Sequence, residues 1–503
     1  MTDERVSDLL DSSESLVAIE APAGCGKTFQ GAGYAVRAAK KMQRGRVLVL
    51  SHTNAACSVF RAKAREGGAD IEVRTMDSLM ISIAAAYHKV IDLPPDPAKW
   101  ARSQPDGFDE IQRRVQQITQ SNPMILSALS ARYPIVVGDE YQDSSEAQHD
   151  VLQGLHAAGS SVRIFSDPSQ DIYNKKKTLR AKAKARWESL KEKGVSDRLR
   201  TPHRWADGSS DLGEWILDAR EALSSGNAID LRAKLPAGLS VLQVANTSRR
   251  KAGFATSSRQ EIDDFADRAT NLLVLSAQNE TVRSLRSFWH RKIPIWEGHT
   301  RDELNQYILA LQSSEGDTSK IAKAVAAFLS KTAVGFSASS WGGVLLEEAS
   351  TGASAARNGR PAAIQVAVKF ILAEPSHIGA ANALRHLGNL VKSGDLGADC
   401  KIDHAAELRD AIGLGQFSDI DAGLSEQHRR RSFSQYGPPR KSISTVHKAK
   451  GLECASSMLI PCDRANYPSN DYGRCKLYVA LSRGKEAVQI VLDSTDPSPL
   501  FRI

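Results

Sequence analysis

The sequence predicts an α/β protein with parallel sheets, and two observations carry that reading. Short apolar runs recur along the chain, each closing on a polar cluster and followed by a helix-compatible stretch. Two such series, one in the first 200 residues and one resuming beyond residue 239, are separated by a segment without a convincing strand series. The first series begins with Leu16-Val17-Ala18-Ile19, leading through a glycine-bearing loop into a proline-free helical stretch from Phe29 to Lys40. Arg46 to Leu50 reads as a buried strand ending in Ser51-His52-Thr53-Asn54. A shorter strand, Ile71 to Val73, ends at Arg74-Thr75-Met76-Asp77-Ser78. After a charged helical segment, Ile135 to Gly138 runs into Asp139-Glu140-Tyr141-Gln142-Asp143, and Ser161 to Phe165 runs into Ser166-Asp167-Pro168-Ser169-Gln170. The second series contains Leu239 to Val244, Leu272 to Leu275, Ser442 to Val446, Met458 to Pro461 and Val488 to Leu492. In a parallel sheet, polar strand ends of this kind mark the edge that carries the site.

The loop Ala21-Pro22-Ala23-Gly24-Cys25-Gly26-Lys27-Thr28 sits between strand and helix, the context that makes such a loop a phosphate cradle. Backbone N–H groups of Ala23, Gly24, Cys25 and Gly26 can converge on phosphate oxygens, and the helix N-terminus adds partial positive charge. Lys27 supplies a point charge and the Thr28 hydroxyl an Mg²⁺ ligand. Ala21 stands at the first position of the pattern, where glycine is usual. Asp139 and Glu140, at a later strand end, complete what triphosphate hydrolysis needs: a second Mg²⁺ ligand, and a base that orients and deprotonates water.

Bulk properties set the remaining bounds. The 503-residue chain has room for three or four folding units, and its 25% charged and 41% hydrophobic residues are ordinary for a globular protein. No apolar run approaches the roughly 20 residues of a membrane span. The acidic, polar N-terminus argues against a secretory signal. The six cysteines form no C-x-x-C pair, so reduced thiols in a cytoplasmic setting and no zinc site are expected. Cys25, inside the loop, is read as a small residue that would be open to alkylation if exposed. The net charge is +8, and Asn174 to Arg200 alone holds eleven Lys/Arg against three Asp/Glu. Such a block fits a polyanion partner, most simply nucleic acid. Leu179, Ala183, Trp187 and Leu190 are expected to form a buried stripe beneath it.

In order along the chain, these segments resemble the motifs of UvrD/Rep-like superfamily 1A DNA helicases. Asp139 to Asp143 looks like motif II, Ser51 to Asn54 like motif Ia, and Thr75 to Ser78 stands at motif Ib. Pro168 to Tyr173 resembles motif III, with Gln170 as its γ-phosphate sensor, and Thr201-Pro202-His203-Arg204 resembles motif IV. Thr445 to Glu453 is close to motif V, including Gly451 and Glu453 on the nucleotide side, and Tyr478 to Gly484 is similar to motif VI, with Arg483 as its arginine. The resemblance implies two RecA-like P-loop NTPase domains with parallel sheets, each with a mainly helical insertion. Domain 1A would take residues 1–89 and 126–197, and a 1B insertion 90–125. Domain 2A would take 198–300 and 436–503, and 301–435 would stand at the 2B position. It implies ATP and Mg²⁺ as cofactors, with Arg204 and Arg483 facing the γ-phosphate from the second domain. A single DNA strand would lie against Thr53, Asn54, Thr75, Tyr173, Lys175, Lys176, Lys177, Thr445 and His447, and be tracked 3′→5′. Departures are visible: residues 1–20 hold no glutamine to read adenine, and His203 replaces an adenine-stacking tyrosine. Asn174-Lys175-Lys176-Lys177 replaces an aromatic-bearing run, and Met76-Asp77 an aromatic-histidine pair. The short insertions also resemble the small UvrD-like subunits of anti-phage systems. There the chain would be a DNA-stimulated ATPase that regulates a separate nuclease subunit, the alternative to a processive motor.

Overall fold

The computed structural model describes residues 2–503 except 103, 105, 249–252, 255–257, 297–300 and 434–438. It divides into two compact units, residues 1–290 with 443–503, and residues 291–442.

The larger unit carries two parallel sheets. The first has six strands, β1 (Leu16–Glu20), β2 (Val47–Ser51), β3 (Ile71–Thr75), β4 (Ile135–Gly138), β5 (Ser161–Ser166) and β6 (Val195–Arg198), in the order β3-β2-β4-β5-β1-β6. All five pairings are parallel; Ala18, for example, lies between Ile164 of β5 and Ser196 of β6. β2 is buried along its whole length and β1 except at Glu20, as expected of parallel strands covered on both faces. Helices α1 (Thr2–Leu10), α2 (Lys27–Lys41), α3 (Asn54–Glu66) and α4 (Met76–Ala86) flank these strands. Helices Pro97–Arg102, Gly107–Ser121 and Pro123–Arg132 fill the segment before β4. The β2 and β3 ends turn directly into α3 and α4, with Thr53 and Thr75 as N-caps.

The second sheet has five strands in the spatial order Lys441–Thr445, Leu272–Ser276, Cys454–Cys462, Gly484–Asp493, Leu239–Val244. Its hydrophobic core includes Ala23 and Ile172 from the first lobe beside Trp205, Tyr478 and Leu481. One core therefore runs across both lobes.

Three expectations change. β6 is a strand although its residues are exposed or half-buried and largely polar; it is an edge strand, which needs no apolar alternation. The expected stripe on the basic helix holds only at Trp187 and Leu190, which are buried in the Lys177–Lys193 helix, whereas Leu179 is 43% exposed. Only the C-terminal half of that helix packs on the lobe. In the smaller unit, where no strand series was expected, helices Asp302–Gln312, Thr318–Thr332, Trp341–Ser350, Gly359–Ala373, His377–Ser393, Ala405–Leu414 and Ile420–Phe433 are joined by one two-residue antiparallel pair, Ala333–Val334 with Lys401–Ile402. The Gly/Ala/Ser-rich stretch thus contributes a helix, with Leu345 and Ala349 in a shared core. Buried polar groups there are paired: Gln365 donates to Glu348 (2.6 Å) and the Leu304 N–H to Glu407 (2.6 Å).

Candidate nucleotide and nucleic-acid site

The phosphate loop leaves β1 and enters α2 with Gly24 at φ 75° and Gly26 at φ 81°, a region that L side chains avoid. Gly24 is also excluded from carrying a side chain by contact: a Cβ there would lie 2.5 Å from the Trp205 ring and 2.8 Å from Arg204 Cβ. The second lobe thus rests on the loop. The Arg204 N–H donates to the Gly24 carbonyl (3.0 Å), and the Ala23 N–H to the buried Tyr478 hydroxyl (2.8 Å).

Lys27 projects between the two acidic residues at the end of β4. Its ammonium pairs with Glu140 and lies 3.6 Å from Asp139 Oδ1. Burial would raise both carboxyls; Lys27, with Lys450 nearby, overrides it at Glu140 and holds that group well below its ordinary range, whereas Asp139 is left raised. Glu140 sits at φ 55°, a strained conformation that surrounding bonds must hold. Gln142 provides one, donating to Glu140 while its own oxygen accepts from the Asp167 N–H (3.0 Å) and the Ser166 hydroxyl (3.3 Å). Asp139 Oδ2 accepts from Ser51 (3.4 Å), but its buried Oδ1 has no hydrogen-bond partner. An orphaned carboxylate oxygen beside Thr28 fits a site that takes Mg²⁺ together with substrate phosphates. No cluster of three or more His, Cys, Asp or Glu able to hold a metal by itself occurs among the described residues.

The second lobe's arginines lie close by but are engaged elsewhere. Arg204 pairs with Glu453 (2.7 Å) and donates to the Ser482 carbonyl (2.6 Å). Glu453 also meets Lys485 (2.8 Å), and against its burial these two cations hold its carboxyl down at about 2. Arg483 is buried, donating to the carbonyls of Val479 (2.8 Å) and Leu452 (3.2 Å); burial and then the Arg204 charge lower it to about 10. Gly451 turns at φ 83°. Gln170 donates to Asp167 (2.8 Å). His203 lies against Gly26, 3.1 Å from the position of a Cβ, and bonds Asp3. Cys25 is fully buried, and burial pushes its thiol up to about 12; the exposed, alkylation-sensitive reading is corrected.

Sequence reasoning missed the charged links between the lobes. Lys450 bonds both Asp143 oxygens at 2.7 Å and the Gln170 carbonyl at 2.9 Å, with both side chains buried. Arg220, also buried, meets Asp167 (2.8 Å) and Glu20 (2.7 Å). Lys450 stood inside the motif V stretch, two residues before Glu453, but nothing local in the sequence names its partner.

Beside these links runs an aromatic tract. The Tyr173 and His447 ring centroids are 6.4 Å apart, and those of His447 and Tyr472 6.0 Å apart. Lys450 lies over Tyr173 (4.9 Å), while Arg180 (5.3 Å) and Lys476 (5.0 Å) lie over Tyr472. Tyr173 is 51% exposed. Lys175, Lys176 and Lys177 are exposed next to it. Thr53, Thr75 and Thr445 each accept a hydrogen bond from the first turn of the following helix, at 3.2, 3.1 and 3.3 Å. The Asn54 side chain lies outside the described residues.

A P-loop lobe joined to a second parallel α/β lobe at a shared charged site defines a nucleotide-driven protein of the two-lobed class. Residues 97–178 match the family model described as UvrD/REP helicase N-terminal domain, a stretch that contains both the Asp139-Glu140 turn and Gln170. With the motif order, that match supports a superfamily 1 helicase, an ATP-driven enzyme acting on nucleic acid. Among solved structures, the crystal structure of Pif1 helicase from Candida albicans is similar over 99% of this chain and 96% of its own, at 11% identity and a TM-score of 0.38. No curated protein matches the chain. Among the described residues no helix is long and apolar enough to cross a membrane.

Proposed function

We propose that the chain is an ATP-dependent 3′→5′ translocase and helicase of the UvrD type, acting on single-stranded or tailed DNA. The observation that carries this reading is that groups of both lobes, Lys27, Glu140 and Asp143 from one and Arg204, Lys450 and Tyr478 from the other, bond at or beside the phosphate loop.

Thr28 and Asp139 are the residues that would hold Mg²⁺, which when bound supplies charge neutralisation between the β- and γ-phosphates. Lys27 now neutralises Glu140. An incoming triphosphate competes for that ammonium, and Glu140, buried and released from Lys27, then becomes a stronger base toward the attacking water. Gln142 keeps the carboxylate aimed while this exchange occurs. Arg204 and Arg483 leave Glu453 and their carbonyl partners to meet the γ-phosphate, where guanidinium charge stabilises the transition state. Gln170 reports the same phosphate to Tyr173 through the short turn that joins them.

The DNA strand runs along Tyr173, His447 and Tyr472, whose rings offer stacking faces without sequence preference. Thr53 and Thr75 use their oxygens as caps and keep their hydroxyl protons to donate to backbone phosphates. Lys175, Lys176 and Lys177 add charge and hence salt dependence.

The test is ATPase activity with no nucleic acid, single-stranded DNA, duplex and RNA, followed by strand displacement on 3′- and 5′-tailed duplexes. DNA stimulation with 3′-tail preference is expected. Stimulated ATPase without displacement of any duplex would instead favour a regulatory ATPase, and the absence of DNA stimulation would refute the motor.

A further inference from the structure

Beside the phosphate loop lies a group of side chains that hydrolysis does not use. Phe29, in the first turn of α2 directly after Thr28, is 70% exposed. Helical residues three apart share a face, and a helical side chain leans toward the N-terminus. The Phe29 ring therefore leans toward Gly26, the residue against which the half-exposed His203 imidazole packs. Two flat rings thus border the open side of the loop, the arrangement that holds a planar base.

The polar group at this mouth is a carboxylate. Asp3, near the start of α1, accepts from His203 Nε2 and, at 3.3 Å, from the Thr201 hydroxyl. The Gln30 amide, one residue past Phe29, donates to the Asp3 carbonyl at 3.5 Å, so its N–H is already spent. An ionised carboxylate only accepts, and each oxygen keeps a second lone pair after the bonds above. Adenine presents its amino donor next to a ring-nitrogen acceptor, and matching it takes a group that both donates and accepts, as an amide does. Against a carboxylate that ring nitrogen is repelled. Guanine offers two adjacent donors, N1–H and the 2-amino group, which a carboxylate accepts together.

We infer that this mouth takes the guanine base of a nucleoside triphosphate, held between Phe29 and His203 and read by Asp3, so that GTP is hydrolysed at the same site as ATP. The inference rests on the phosphate-site reading above and adds base selection to it. Its test is kcat/KM for GTP, ITP and ATP in the wild type and in Asp3→Asn, with binding of fluorescent GDP and ADP measured in parallel. GTP is expected to match or exceed ATP, and ITP, which lacks the 2-amino group, to fall about tenfold below GTP. Asp3→Asn is expected to move the GTP/ATP ratio about tenfold or more toward ATP, and Phe29→Ala to raise KM for both with kcat kept. A wild-type GTP value below that of ATP, or a ratio that Asp3→Asn leaves unmoved, overturns the inference. If no triphosphate is hydrolysed the phosphate-site reading itself fails, and preference for GDP over ADP, abolished by Asp3→Asn, still decides the base.

Discussion

Replacing Lys450 with methionine probes the link between the lobes. The Lys450 ammonium makes two 2.7 Å bonds to Asp143 and one of 2.9 Å to the Gln170 carbonyl, and its side chain is 7% exposed against 5% for Asp143. Removing one partner of a pair this buried leaves an uncompensated charge, which costs about 3–5 kcal/mol. For a unit of about 350 residues, unfolding entropy scaled per residue turns that into a fall in Tm of roughly 4–7 °C. The sign of its pH dependence follows from Asp143. Burial raises that carboxyl to about 6 even with Lys450 beside it, and without Lys450 it rises further. A carboxyl whose folded pKa is raised binds its proton more tightly in the native state, so its ionisation costs stability as pH rises. In Lys450→Met the full loss is therefore expected at pH 8. At pH 5.5 Asp143 takes a proton, and the loss shrinks toward the roughly 1 kcal/mol of the missing hydrogen bonds. Differential scanning calorimetry of variant and wild type at both pH values makes the comparison. A Tm within 1 °C of wild type at pH 8, or an equal loss at both pH values, refutes the reasoning.

Gln142→Leu removes the bond that aims Glu140. It is expected to lower ATPase kcat by about tenfold or more, the value of a hydrogen bond to a charged group, with KM little changed; an unchanged kcat removes Gln142 from the site. Tyr173→Ala is expected to cost about 1–3 kcal/mol of single-strand affinity at any salt concentration. Neutralising Lys175, Lys176 and Lys177 should instead flatten the salt slope of binding, and fluorescence anisotropy over a salt series separates the two. Cys25, its thiol pushed up to about 12 by burial, is expected to resist iodoacetamide in the folded protein and react only after unfolding; mass spectrometry of the labelled peptide reads this directly.

The strands buried on both faces were legible as unbroken apolar runs: Leu16 to Ile19, Val47 to Leu50, Ser161 to Phe165 and Leu239 to Val244 all lie within observed strands. β6 was not, because an edge strand of Val195-Ser196-Asp197-Arg198 carries no such run. The Lys177–Lys193 helix was legible as a helix, but its periodicity did not say that burial stops short of Leu179. In the site, the loop and the Asp139-Glu140 turn could be read because strand, loop and helix are contiguous. The pairing of Lys450 with Asp143 joins residues 307 apart in sequence, and Arg220 reaches Asp167 from a helix with no motif of its own. Such contacts are fixed by how the lobes pack, and no local spacing encodes them. Phe29 and Asp3 were passed over for a related reason: an aromatic after the loop and an acid in the first helix have ordinary structural readings until His203 stands beside both.

The most direct measurement is the steady-state ATPase rate with and without single-stranded DNA in the wild type, Lys27→Ala and Glu140→Gln. A DNA-stimulated rate in the wild type, lost in both variants while Glu140→Gln still binds nucleotide, is the expected result. Turnover retained in either variant would contradict the assignment of the phosphate site.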